Sequence, residues 1–104
     1  MEIQEYKQEQ LVGHWRYSSR VYRCDWMLLE DGTFGASVTE REEEVSRQTG
    51  RWALEGDQLL CFCIRDAFGI AASSEDRDVL LEVSERYFII RTRDGARRKY
   101  ERID

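Results

Sequence analysis

The residue types that most often carry chemistry are sparse in this chain. His14 is the sole histidine, and the three cysteines are Cys24, Cys61 and Cys63. Cys61-X-Cys63 offers two thiolates, but a structural zinc site needs four ligands. Strand parity gives Cys24 an inward and His14 an outward position, so the two do not converge. No Ser-His-Asp set assembles, and there is no glycine-rich phosphate loop. The acidic run Glu40, Glu42, Glu43 and Glu44 reads as a solvated loop or strand end. These residues predict a non-enzymatic protein that binds something without transforming it, with no catalytic residue, no cofactor and no metal.

The elements that position these side chains follow from hydrophobic periodicity. Residues Glu2 to Gln10 have helical spacing at Ile3 and Tyr6 and predict a short N-terminal helix. From Leu11 the period becomes two, with Leu11, Gly13, Trp15 and Tyr17 on one face. A second strand covers Tyr22 to Glu30. Asp31-Gly32 then makes a hairpin turn, because both residues tolerate positive φ, and Phe34, Ala36 and Val38 continue the inner face. Gly50, Trp52 and Leu54 open a fourth strand, and Glu55-Gly56-Asp57 turns it into a fifth. Asp66 to Asp76 breaks the rhythm and reads as a short helix or a lid-like loop. Val79, Leu81 and Val83 mark a sixth strand, Phe88 and Ile90 a seventh. After Asp94-Gly95 the eighth runs from Ala96 to Ile103.

Eight short strands joined by tight turns predict one all-β domain over residues 1–104. An antiparallel meander of this size removes its edges by closing into an up-and-down barrel. A half-open barrel or a sandwich is the alternative.

Four short motifs recur along this frame: Gly13-His14-Trp15, Asp31-Gly32-Thr33-Phe34, Gly50-Arg51-Trp52 and Tyr100-Glu101-Arg102. Together with a short helical turn at the start, they resemble the lipocalin-like group of the calycin superfamily. The resemblance implies a small barrel whose base is closed by Gly13, Trp15 and Arg102, with Arg98 as the other arginine on that face. A guanidinium over an indole is worth about 0.5–2 kcal/mol.

By strand parity the interior holds Trp15, Tyr17, Cys24, Trp26, Leu28, Phe34, Val38, Trp52, Leu54, Phe62, Ile64, Leu81, Val83, Phe88, Ile90 and Tyr100. A barrel interior of eight strands is either filled by side chains or holds one small ligand. Tyr17, Trp26, Phe34, Trp52, Phe62, Phe88 and Tyr100 are the candidate ligand-binding residues, for a small apolar molecule in the barrel mouth. The same parity puts Leu59, Cys61, Cys63, Leu80, Tyr87 and Ile89 outside as an apolar stripe. Such a stripe is either covered by the Phe68–Ala72 segment or used by a partner, the simplest partner being a second copy.

Charge adds a further surface. The chain carries −5 overall, yet Arg86 to Arg102 holds seven basic residues and only Asp94 and Glu101 as acids. The last hairpin presents Arg91, Arg93, Arg97 and Lys99 outward. With Leu80 and Ile89 they form a candidate docking surface for an acidic protein. Nucleic acid is disfavoured by the net charge. An odd cysteine count predicts free thiols in a reducing compartment. No apolar run approaches the roughly 20 residues needed to span a bilayer, and the first residues lack a secretory pattern. A cytoplasmic binding protein is the leading expectation. A protein-interaction module or inhibitor, acting through strands five to seven and the basic hairpin, is the alternative.

Overall fold

A computed structural model of the chain describes the backbone of residues 6–66 and 71–103 and the side chains of residues 6–63 and 75–103. The eight strands are β1 (Gly13–Ser18), β2 (Tyr22–Leu28), β3 (Thr33–Glu40), β4 (Glu43–Glu55), β5 (Gln58–Asp66), β6 (Ala71–Val83), β7 (Tyr87–Arg91) and β8 (Arg97–Arg102). Each pairs antiparallel with its sequence neighbours, and β8 returns to β1, so the meander closes into a barrel. Closure leaves no unpaired sheet edge. The sandwich alternative is thereby excluded.

Two elements differ from expectation. The N-terminal helix is only a 3-10 turn at Gln8–Gln10, and no α-helix occurs among the described residues. So short a segment cannot hold a helix alone, and Leu11 must drop at once into the barrel base, where it is fully buried. The acidic run takes the strand-end form of its expected loop or strand end, with Glu40 closing β3. Arg41 and Glu42 form the turn with positive φ, and β4 starts at Glu43. Glu44 accepts hydrogen bonds from Ser37 Oγ at 2.8 Å and Arg47 Nη2 at 3.0 Å, which ties the acid into the ladder. Of the expected helix or lid between Asp66 and Asp76, residues 67–70 lie outside the described residues. Residues from Ala71 onward belong to β6.

Strand register decides which faces are inside. Residues directly opposite each other in a pair share a face. Across the β4–β5 turn, Glu55 opposes Gln58, so Trp52 opposes Cys61 and Leu54 opposes Leu59. The even residues of β4 and the odd residues of β5 therefore point the same way. Leu59, Cys61 and Cys63 are buried in the interior, whereas Phe62 lies outside and is 41% exposed. That inverts the expected parity of β5; the Ile64 side chain lies outside the described residues. On β6, Asp76 opposes Cys61 and Asp78 opposes Leu59, which puts both on the inner-face register, Asp78 half-buried and Asp76 exposed at the rim. A bulge between Leu80 and Glu82 then shifts the frame by one. Leu80 opposes Ile90 and is 3% exposed, while Leu81, the extra residue, is 37% exposed.

The core is aromatic. Trp15 meets Phe88 edge-on at 4.8 Å, Phe88 stacks on Tyr100 at 5.1 Å, and Tyr100 stacks on Trp26 at 4.5 Å. Each such pair adds about 0.5–1.5 kcal/mol beyond its area. Burial would be costly for an unpaired indole N–H. Trp15 Nε1 donates to the Leu11 carbonyl at 2.8 Å, and Trp52 Nε1 donates to the Leu29 carbonyl at 2.9 Å. The two Gly-X-Trp motifs thus use one device: each indole fills the core and ties down a stretch of connecting backbone.

Candidate functional site at the barrel mouth

The two ends of the barrel are built differently. At the closed end the Arg102 guanidinium lies 4.2 Å from the centre of the Trp15 ring. Its Nε donates to the Glu85 carbonyl at 2.7 Å, and its Nη1 donates to the Val12 carbonyl at 3.0 Å. A Cβ on Gly13 would stand 2.3 Å from that Nη1, so a glycine is needed there for the arginine to fit. Arg98 is not part of this arrangement; it sits 5.4 Å over the Tyr17 ring, towards the other end. A hollow of about 610 Å³ lies on this closed side between Glu85, Tyr87, Lys99 and Arg102. Two of its cations already have partners. Lys99 rests 4.4 Å over Tyr87 and 3.9 Å from Glu101, and Arg102 is held as described.

At the open end a cavity of about 340 Å³ enters the barrel beside β6, β7 and β8. Trp26 and Tyr100 line it with their stacked rings, Ile90 adds an aliphatic wall, and Asp76, Asp78, Thr92 and Arg98 add polar groups. These residues arrive there for a register reason. Asp76 and Asp78 are two apart on β6, and Arg98 opposes Ile90 on β8, so all three share the inner face. Neither aspartate has an ion pair among the described residues. The neighbouring Arg77 points outward, to Glu75 at 2.9 Å.

Electrostatics follow from this placement. Burial, helped by repulsion from Asp76, pushes the Asp78 carboxyl up to about 6; Arg98 and Arg93 oppose the shift. Burial and the same two carboxylates push the Cys61 thiol up to about 12. Burial also raises Cys24, which accepts a hydrogen bond from the Tyr100 hydroxyl at 3.6 Å, and raises Tyr100 itself. All three groups are therefore protonated at neutral pH, and both thiols are poor nucleophiles. Among the described residues no cluster of His, Cys, Asp or Glu is placed to hold a metal ion.

The candidate ligand-binding residues separate into groups. Trp26 and Tyr100 line the mouth, and Tyr17 lies beside them, 5.8 Å from Tyr100 and beneath Arg98. Phe34, Trp52 and Phe88 are buried in the core, away from the mouth, and Phe62 is on the outer wall. The candidate partner surface is also divided. Arg91, Arg93, Arg97 and Lys99 are exposed, but Leu80 is inside the barrel and Ile89 is only 9% exposed. With Leu59, Cys61, Cys63 and Leu80 turned inward, the expected apolar stripe is absent from the described surface. His14 stands opposite Met27, half-buried, with no second candidate catalytic group described near it.

Sequence reasoning missed Asp76 and Asp78 because they lay in a stretch read partly as a loop. The available signal was Asp76-Arg77-Asp78-Val79-Leu80, an alternation with its two acidic members in phase with Leu80. No helix among the described residues is long and apolar enough to cross a membrane. Comparisons with protein-family models, curated proteins and solved structures give no match.

Proposed function

We propose that this chain is a lipocalin-like binding protein that holds a small molecule at the open mouth of its barrel and does no chemistry on it. The observation carrying this reading is the cavity of about 340 Å³ whose floor is the Trp26–Tyr100 stack. Small-molecule sites of roughly this size are concave, largely apolar and furnished with a few polar groups. The lower barrel is filled by Trp15, Phe88, Trp52 and Leu28, so the ligand is shallow, resting on the aromatic floor. The lipocalin-like assignment draws support from the Arg102–Trp15 stack at the closed end.

A ligand with one flat apolar face fits the floor. Titration with 1-naphthalenemethanol, followed by amide and indole chemical shifts, tests the reading. Shifts are expected at Trp26, Ile90 and Tyr100. Trp26→Ala should weaken binding by about 1–3 kcal/mol, the usual scale for a large apolar contact, and Phe62→Ala on the outer wall should leave it unchanged. Shifts gathered instead around Phe62 or Met27 would remove the mouth from consideration.

A further inference from the structure

The mouth combines two features that a purely apolar ligand does not explain. The first is the half-buried Trp26 ring, which reaches the cavity and is backed by the fully buried Tyr100 ring stacked on it. The second is the set of charges around it: Asp76 and Asp78 from β6 and Arg98 from β8 on the inner-face register, with Arg77, Arg93 and Asp94 also lining the cavity. Arg98 is already engaged, lying against the Tyr17 ring. Asp78 is half-buried and makes no direct ion pair among the described residues, although Arg98 and Arg93 act on it through space. A half-buried carboxylate next to a second carboxylate is an arrangement that stability alone disfavours. It is well suited to a ligand whose own positive charge can reach the half-buried Asp78 directly, and the Trp26 ring adds cation–π attraction to apolar contact.

Resting on the mouth-binding reading, we propose that the ligand is an organic cation: a flat apolar body lies on Trp26, and its ammonium group meets Asp78 with Asp76 beside it. The inner-face register of β6 places both carboxylates in the cavity lining with that ring. The groups facing Asp78 are Asp76 on its own strand, Cys61 on β5, Arg98 on β8, and Arg93 and Asp94 in the β7–β8 turn. Because the Asp78 carboxyl titrates near 6, its charge is present at neutral pH and lost below that value. Cation binding weakens in the same direction.

Three probes of one shape and different charge test this by calorimetry: 1-naphthylmethylamine, 1-naphthalenemethanol and 1-naphthylacetate. The amine should bind tightest. Its affinity should fall about tenfold from pH 7 to pH 5 as the carboxylate is protonated, with no such change for the alcohol. Asp78→Asn, checked by thermal melting for an intact fold, should cost the amine about tenfold or more and spare the alcohol. Arg97→Glu, outside the mouth, should change none of the three. Equal affinities, or tightest binding of the acetate, would overturn the cation assignment while leaving the mouth as a binding site. If none of the three binds, the mouth reading itself fails.

Discussion

Single residues divide into those that let strands approach and those that fill the space left between them. Gly50 is the sharpest example of the first kind. A Cβ there would lie 1.8 Å from the Phe62 carbonyl oxygen, at the β4–β5 bulge. Backbone cannot yield as a side chain tip can. Gly50→Ala is expected to cost about 3 kcal/mol in urea unfolding, whereas Gly35→Ala, with no atom within 4 Å of the new methyl, should be neutral or stabilising by about 0.5 kcal/mol. Equal effects at the two sites would mean that the bulge is pliable. At this scale much was legible: the lipocalin-like resemblance implied Arg102 or Arg98 as the partner of Trp15, and Arg102 is the one that stands 4.2 Å from the ring. What Gly50 does was not legible, since a close approach between strands leaves no mark in one sequence beyond the glycine itself.

At the scale of strands, the closing seam is the shortest ladder in the barrel. β1 and β8 share two register pairs, against seven between β2 and β3. Arg102 reinforces that seam by binding Trp15, Glu85 and Val12 at once. Removing it in Arg102→Ala should raise amide exchange in β8 by about tenfold or more, given one cation–π contact and its hydrogen bonds lost, while β2 and β3 stay protected. Uniform acceleration in all strands would show that the seam does not open by itself. Strand number and order were legible because turn residues and alternation repeat along the chain. The facing of β5 and β6 was not. One two-residue turn after Glu55 reverses parity, and one bulge after Leu80 reverses it again. Both faces of β5 are apolar, Leu59, Cys61 and Cys63 on one and Leu60 and Phe62 on the other. Hydrophobicity alone could not choose between them.

The molecule as a whole carries the consequence of the inner-face carboxylates in its pH response. Asp78 is raised to about 6, so between roughly pH 4, its ordinary range, and pH 6 the folded chain binds more protons at this site than the unfolded chain. Stability contributed by this group therefore falls as pH rises through that window and levels off above it. Asp31 and Glu44, held below their ordinary range by Thr33 and by Ser37, work in the opposite sense at lower pH. Comparing the urea midpoints of the protein and its Asp78→Asn variant at each pH isolates the effect: the variant's advantage should grow from pH 4 to 6 and then hold. Parallel curves would place Asp78 in open solvent. None of this was legible in composition, because net charge counts carboxylates without saying which side of a wall they occupy.

The three indoles are distributed unequally between the two ends. Trp15 and Trp52 are sealed in the core with their N–H groups tied to backbone, while Trp26 is only half-buried and floors the mouth. Light absorbed by the protein is therefore re-emitted from two shielded fluorophores and one that faces the site. The barrel carries a constant reference and an indicator in the same chain, and occupancy of the mouth is written into the colour of its own emission.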